Sequence, residues 1–329
     1  MKTKRSSYVL GTVCLAALLI VSMFVAGCTS NGTTTSTAAT PATTTSASAA
    51  ATQVAVPATT AVPATTAVPT TAAQKQTITV TGSTTVLPIA QAAADAYMKL
   101  HPEANIQISG GGSGVGIQSI GAKTVDIGMS SRDVTKAELA KYPGFNIVTV
   151  AHDGIAVIVN PKNTIRYITI DQVNQIYTGK ITKWTEITGA EVPNTNNQIV
   201  LIGRDSSSGT RTYFDETVLK SATPVKTMLE QNSNGAVAQS VAQTPGAIGY
   251  VSIGFVSSDV KALPIWYNAN KIITPSISTV KDKTYPVSRD LYMITNGQPT
   301  GLTKDYIDYI LSADGQKIVA DQGYVPLTS

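Results

Sequence analysis

From Gln76 onward the chain repeatedly switches between two hydrophobic periods. Gln76-Thr77-Ile78-Thr79-Val80-Thr81 alternates like a half-buried strand, and after Gly82-Ser83-Thr84-Thr85 the residues Ile89, Ala93, Ala96, Tyr97 and Leu100 recur at helical spacing. Pro88 fits such a helix only because it falls in the first turn, where no intrahelical N–H is needed. Asn105-Ile106-Gln107-Ile108-Ser109 alternates again and runs into Gly110-Gly111-Gly112-Ser113-Gly114-Val115-Gly116, with a short helix through Ile120. Val125 to Met129 predicts a third strand, ending in Ser130-Ser131 before a helix over Lys136 to Ala140. Gln198 to Ile202 predicts a fourth, followed by Gly203-Arg204-Asp205-Ser206-Ser207-Ser208-Gly209-Thr210-Arg211 and a helix that puts Phe214 and Val218 on one face, with Tyr213 near Thr217. Ile155 to Val159 is a further apolar strand. Asp171 to Tyr177, Thr303 to Leu311 and Gly315 to Ala320 are further helices whose apolar residues pack inward. Strands that alternate with helices predict an α/β fold with mainly parallel sheets flanked by helices, and such sheets bind ligands at the carboxyl ends of their strands.

The loops at those ends share a chemistry. The first turn of a helix has unpaired N–H groups and a positive dipole end, and small residues let an anion approach that backbone. Serine and threonine hydroxyls add neutral donors, and the guanidinium of Arg204 can grip two oxygens at once. An ordinary helix N-cap would also use serine here. The glycines fit neither a Walker loop, since no Gly-Lys-Ser/Thr ending follows, nor the dinucleotide spacing, since Ile117 stands where the last glycine is needed.

Ahead of this body the pattern is different. Lys2, Lys4 and Arg5 precede an apolar run from Val9 to Val25 that ends in Val25-Ala26-Gly27-Cys28, an export signal over residues 1–27. Its last four residues resemble a lipobox, which implies cleavage before Cys28 and lipidation of that cysteine. Left uncleaved, the run would serve as a membrane anchor, and in either case the body is tethered outside the cell membrane. Residues 28–75 are almost entirely Thr, Ala, Ser, Pro, Val and Gly, with the near repeat Ala55-Val56-Pro57-Ala58-Thr59-Thr60 and Ala61-Val62-Pro63-Ala64-Thr65-Thr66. Such a segment cannot bury enough apolar surface to offset the entropy of ordering it, so it reads as a disordered tether. It carries one glycosylation acceptor pattern, Asn31-Gly32-Thr33.

Charge removes one class of function. Without Lys2, Lys4 and Arg5 the 24 basic residues become 21 against 20 acidic ones, a formal +1, and no basic run or aromatic platform points to nucleic acid. Both cysteines, Cys14 and Cys28, lie in or at the end of the leader, so the body has no disulfide, thiol nucleophile or thiolate metal site.

Taken together, Thr81-Gly82-Ser83-Thr84-Thr85, Gly111-Gly112-Ser113-Gly114, Asp126-Ile127-Gly128-Met129-Ser130-Ser131-Arg132 and Arg204-Asp205-Ser206-Ser207-Ser208-Gly209-Thr210 resemble the successive ligand loops of the PstS-like phosphate-binding proteins of ABC transporters. Ile176 to Trp184, Pro245 to Tyr250 and Tyr285 to Tyr292 are similar to that family's framework segments, so the resemblance spans nearly the whole body. It implies the two-lobed α/β clamshell of type II periplasmic binding proteins. Residues 76–151 and 251–329 would form lobe one, and residues 152–250 lobe two. It further implies a non-enzymatic, monomeric receptor that needs no metal or other cofactor. That receptor would capture inorganic phosphate between the lobes and deliver it to ABC permease membrane subunits driven by an ATPase. Matched position by position, the anion contacts are Thr84, Thr85, Ser113, Arg204, Ser208, Gly209 and Thr210.

One position departs from the pattern. Where well-studied members carry an aspartate that accepts the proton of monohydrogen phosphate, this chain has Ser131. A carboxylate only accepts and so rejects fully ionised oxyanions, whereas a serine donates as well. Asp126, Asp133 and Asp205 are candidates to replace the missing carboxylate, Asp205 alternatively serving only to hold Arg204. Two other functions stay open at this point: a binder or sensor of another tetrahedral oxyanion, and a secreted serine hydrolase using Ser113 or Ser208 with His152 as base. Against the second, Val115 and Thr210 occupy the final glycine position of a nucleophile elbow. His152 falls near the expected hinge, His101 reads as a helix end, and Trp184 and Trp266 as framework or surface aromatics.

Overall fold

A computed structural model describes residues 75–187, 197–268 and 271–327; the expected signal, Cys28 and the tether as far as residue 74 lie outside them. The chain opens with β1 (Gln76–Gly82), α1 (Leu87–Leu100), β2 (Ala104–Gly111), α2 (Ser113–Gly121), β3 (Ile127–Ser130) and α3 (Lys136–Lys141). It continues through β4 (Phe145–Val159), α4 (Ile170–Tyr177), β5 (Val200–Arg204), α5 (Gly209–Thr217), β6 (Leu229–Gln231), α6 (Asn234–Gln243) and β7 (Ala247–Ser252). Then come β8 (Lys261–Ala262), β9 (Ile265–Asn268), β10 (Lys271–Ile273), α7 (Ile277–Lys281), β11 (Ser288–Asn296), α8 (Gly301–Leu311) and α9 (Ala313–Asp321).

The strands order as β2-β1-β3-β11-β4-β7-β5-β6, with β8 also on β4. The ladders β1 to β2, β1 to β3, β5 to β6 and β5 to β7 are parallel, as the strand and helix alternation predicts. The exceptions centre on β11, which runs antiparallel to β3 as well as to β4, and on β4, which is longer than the Ile155 to Val159 run alone suggests. Its first part, Phe145 to Gly154, pairs antiparallel with β11, and its second part, Ile155 to Val159, pairs antiparallel with β7. One strand thus belongs to two sheets and changes partner between Gly154 and Ile155.

Each sheet has its own core. Ile78, Val80, Ile89, Ala93, Tyr97, Met129, Leu291, Tyr306 and Ile310 pack together in lobe one. Val157, Val173, Ile176, Tyr177, Trp184, Phe214 and Tyr250 pack in lobe two. Phe214 lies flat on Tyr250, ring centroids 3.8 Å apart, which removes two large apolar faces from water; burying one such side chain contributes about 1.5–3 kcal/mol. The lobe boundary differs from the sequence expectation. Leu263, Ile265, Ile273, Val280, Tyr285 and Val287 belong to the lobe-two core, so the chain returns to lobe one at Ser288 and not at Val251. The reason is pairing: β8 sits on the lobe-two half of β4, with Ala262 opposite Ile158.

Helix starts follow the local chemistry. Thr135 and Glu138 form a reciprocal capping box on α3, and Thr169 and Gln172 do the same on α4. In α1 the buried stripe is Ile89, Ala90, Ala93, Ala94 and Tyr97, while Leu100, expected to share it, is exposed in the last turn before the chain leaves the helix. His101 caps that helix, its backbone N–H donating to Tyr97 and its ring stacked on the same tyrosine at 4.3 Å. Trp184 is fully buried with Nε1 donating to the Gly246 carbonyl, and Trp266 is a surface aromatic set edge-on against Tyr167.

Candidate functional site

The carboxyl ends of β1, β2 and β3 in lobe one face the carboxyl end of β5 and the start of α5 in lobe two. Arg204 is the last residue of β5, and its side chain is buried. Its Nε donates to the Gln231 carbonyl at 3.1 Å and Nη2 to the Asn232 carbonyl at 3.1 Å, which fixes the plane of the fork. Nη2 also donates to Thr84 Oγ1 of the opposite lobe at 3.2 Å. Burial pushes the Arg204 pKa down to about 10, against a pull upward from Asp205, so the group remains cationic at neutral pH.

Next to Thr84, Thr85 meets Thr210 hydroxyl to hydroxyl at 3.0 Å across the lobes. Ser113, at the start of α2, accepts the Ser131 backbone N–H at 3.0 Å, and its oxygen lies 3.3 Å from Ser131 Oγ. Gly209, the first residue of α5, approaches this serine pair so closely that a Cβ there would stand 2.2 Å from Ser113 Oγ and 2.9 Å from Ser131 Oγ. Ser208 caps α5, its hydroxyl accepting the Arg211 N–H at 3.1 Å. All eight sequence-named positions therefore meet in one buried interlobe cluster, and no side chain in it is more than 8% exposed. The lobes are shut on it. Ser207 Oγ donates to the Gly111 carbonyl at 2.8 Å, and Gly114 N–H donates to the Ser207 carbonyl at 2.9 Å. Gly112 takes φ +95° in this contact, and a Cβ on it would strike Ser207 Oγ at 2.4 Å, so only glycine satisfies both the backbone and the approach.

The three aspartates named as substitutes for a carboxylate at Ser131 have other partners. Asp126 accepts the Thr79 N–H and hydroxyl, Asp133 accepts the Tyr292 hydroxyl at 2.6 Å, and Asp205 accepts the Ser207 N–H at 2.8 Å. Asp205 makes no hydrogen bond to Arg204; it folds the loop, and backbone carbonyls hold the arginine. His152 pairs with Asp290 at 2.6 Å, whereas Ser113 is engaged with Ser131 and Ser208 with its helix.

Sequence reasoning missed three buried members of the cluster. Asp153, in β4, accepts Nε and Nη2 of Arg289 at 3.0 and 2.7 Å and the Ser252 hydroxyl at 2.7 Å. Burial raises the Asp153 carboxyl, opposed by Arg289 and these hydrogen bonds. Arg289 Nη2 reaches Thr210 Oγ1 at 3.0 Å and Thr85 Oγ1 at 3.3 Å, and Asn234 Nδ2 donates to Thr85 Oγ1 at 2.9 Å. Arg289 Nη1 is buried without a hydrogen-bond partner among the described residues. A signal for Arg289 existed: in β11 it takes the same alternating, inward position as Leu291 and Met293, where a charge demands a buried partner. Among the described residues no group of three or more His, Cys, Asp or Glu is placed to hold a metal ion.

A family model described as a PBP superfamily domain matches residues 29–314. The phosphate-binding protein PstS of Bacillus subtilis is 36% identical over 253 residues, which cover 76% of this chain and 81% of that protein. The phosphate-binding protein PstS of Borreliella burgdorferi is 30% identical over 258 residues, covering 75% of this chain and 89% of that one. A crystal structure with bound phosphate from Clostridium perfringens, described as a phosphate ABC transporter substrate-binding protein, matches with a TM-score of 0.71 and 31% identity over 77% of this chain and 100% of that chain. With the family model spanning most of the chain and these relatives at 30–36% identity, this chain belongs to the PBP superfamily and, within it, to the PstS-like phosphate-binding proteins.

Proposed function

We propose that this protein is an extracytoplasmic receptor that captures inorganic phosphate between its lobes and hands it to an ABC permease with its ATPase. The observation that carries the reading is the contact of Arg204 from one lobe with Thr84 from the other, inside a shut cluster of hydroxyls and helix-start amides. The ligand set is Thr84, Thr85, Ser113, Ser131, Arg204, Ser208, Gly209 and Thr210. Hydrogen bonds to a charged group contribute about 1.5–3 kcal/mol each, so roughly eight of them exceed the ~8 kcal/mol of micromolar affinity even after closure is subtracted. Closure of the lobes is the signal to the permease, because donors of both lobes meet the anion only in the shut form. Binding, not turnover, fits a site whose serines are engaged with one another and with a helix start.

Residues 1–27 act as a lipoprotein signal, Cys28 carries the lipid, and residues 28–75 form the tether that lets a monomeric body reach the permease. Titration calorimetry of the purified protein with phosphate, arsenate, sulfate and tungstate tests the ligand, and micromolar or tighter phosphate binding is expected. Heat from none of the four refutes the receptor. Cys28→Ser should move the protein from the membrane fraction to the soluble one; unchanged partitioning and mass would remove the lipid from the account.

A further inference from the structure

Resting on the reading of the cluster as an oxyanion site, we infer that Arg289 and Asn234 set the direction of the Thr85 and Thr210 hydroxyls and thereby select the charge state of the bound anion. The argument is a count of lone pairs. A hydroxyl has one hydrogen to donate and two lone pairs to accept with. Asn234 Oδ1 accepts the backbone N–H of Ser252 at 3.2 Å, and that donor cannot be reversed. The amide is therefore fixed with Nδ2 toward Thr85 Oγ1, 2.9 Å away.

One Nη2 hydrogen of Arg289 is committed to Asp153, and the other is shared between Thr210 Oγ1 at 3.0 Å and Thr85 Oγ1 at 3.3 Å. Thr85 Oγ1 then accepts from both Asn234 and Arg289 and has no lone pair left, so its hydrogen must be donated. If it goes to Thr210, 3.0 Å away, that oxygen is saturated in turn by Thr85 and Arg289, and the Thr210 hydrogen points outward. If Thr85 instead donates to the anion directly, Thr85 still offers no acceptor but Thr210, accepting only from Arg289, keeps a lone pair; the exclusion therefore belongs to the arrangement in which Thr85 donates to Thr210. That arrangement admits an ionised oxygen and rejects a protonated one, because two hydrogens would meet across the contact.

The other end differs. Ser113 accepts one backbone hydrogen from Ser131, and no donor is fixed on Ser131 Oγ apart from its contact with Ser113, so Ser131 can accept. A singly protonated tetrahedral anion fits with its O–H toward Ser131 and its bare oxygens toward Thr85, Thr210 and Arg204. A doubly protonated one presents a second O–H that finds no acceptor at Thr85. Asp153 takes no part directly. Both its oxygens are occupied, and it acts as a positioning residue that holds the Arg289 guanidinium.

The test is calorimetry with inorganic phosphate at about pH 5 and about pH 8, on either side of the second ionisation of a phosphate group. The full chain is compared with the double variant Asp153→Asn/Arg289→Gln, which removes the ion pair without stranding either charge. In the unaltered chain the affinity should rise at least tenfold between the two pH values. In the double variant the ratio should shrink toward one. Asn234→Ala, which frees a Thr85 lone pair without touching the ion pair, should shrink it in the same direction, and it serves if the double variant does not fold. A merely structural role would weaken binding equally at both pH values, leaving the ratio unchanged, and that result overturns the inference. If the unaltered chain binds neither phosphate nor sulfate at any pH, the receptor reading fails with it; if it binds but the ratio is insensitive to these variants, only the inference falls.

Discussion

Replacing Gly209 by alanine isolates closure from folding. A Cβ at this position meets Ser113 Oγ at 2.2 Å, Ser113 Cβ at 2.8 Å and Ser131 Oγ at 2.9 Å, all of them across the lobe interface and none within α5. Ser113 cannot swing away cheaply, since its hydroxyl is the acceptor of the Ser131 N–H and its residue is fully buried. Gly209 does not have a positive φ, so alanine is allowed there, and in a helix it is if anything favoured over glycine by up to about 1 kcal/mol. The variant is therefore expected to fold normally with its lobes parted and to be penalised only when they shut. Forcing one extra methyl into a packed contact costs about 1–3 kcal/mol, which corresponds to a roughly five- to hundredfold loss of phosphate affinity. Calorimetry reads that loss directly. The phosphate-dependent rise in melting temperature should shrink with it, while the ligand-free melting temperature stays at or above that of the parent. Gly235→Ala is the control, because a Cβ there meets only a ring carbon of Phe255 at 4.0 Å. Parental affinity in Gly209→Ala would refute the reasoning, since it would mean that phosphate is held without this approach of the lobes. A lowered ligand-free melting temperature would also refute it, since the clash would then burden the fold itself.

Other outcomes follow from the same geometry. Arg204→Ala removes the buried fork and should weaken phosphate binding by about a hundredfold or more, two charge-assisted hydrogen bonds contributing roughly 1.5–3 kcal/mol each; circular dichroism should show the fold retained. Asp153→Asn alone leaves Arg289 buried with a weakened partner, and breaking such a pair costs up to about 3–5 kcal/mol, or on the order of 10 °C in melting temperature. Ser131→Asp restores an acceptor-only group beside Ser113 and should raise the preference for phosphate over sulfate, measured as the ratio of their dissociation constants, by tenfold or more. The hydrogen bonds of Arg132 hold the Glu138 carboxyl well below its usual 4.5, at about 2. A depressed carboxyl stabilises the fold above its unfolded pKa and loses that contribution as pH falls through its folded one. Thermal stability should therefore drop between about pH 4.5 and pH 2, and Glu138→Gln should flatten that drop in acid melts.

Much of this was legible because the fold repeats one unit. Each strand, hydroxyl loop and helix announced itself by a change of hydrophobic period, and Thr84, Thr85, Ser113, Ser131, Arg204, Ser208, Gly209 and Thr210 sit on loops between such changes. The structure brings them together for the reason the periods imply: parallel strands deliver all their carboxyl ends to one side. What stayed hidden depends on long-range pairing. Asp153 lies inside an apolar strand and Arg289 inside another, 136 residues apart in sequence, and only the β4 to β11 register sets them opposite each other. Asn234 looked like any residue after a serine cap. The lobe boundary is hidden for a related reason, because nothing local in Val251 to Val287 says which half of β4 its strands will join.

The point where β4 changes partner is also where the charges of the site are balanced, and this links selection to motion. Arg289 with Asp153 forms a neutral pair at the last rungs of the lobe-one sheet, and Ser252, at the first rung of the lobe-two ladder, adds its hydroxyl to the same carboxylate. Arg204 has no such carboxylate, since Asp205 is bonded to Ser207 and the partners of the guanidinium are carbonyls and Thr84. Shutting the lobes without an anion therefore buries a cation whose hydrogen-bond partners are all dipoles, offset in charge only by the neighbouring Asp205, which is costly. Parting them returns Arg204 to water. An anion reverses the balance because it interacts with the shut form through both lobes and with the parted form through one, and only such a difference can shift the equilibrium between them. If Arg204 contacts the anion as proposed, it acts twice, opposing closure when the site lacks its anion and favouring closure once the anion is bound. On this account Arg204→Met, which keeps the bulk and removes the charge, should leave the lobes shut in the absence of phosphate, and small-angle scattering would then find no contraction when phosphate is added. A variant that still contracts on adding phosphate would separate closure from the charge of Arg204.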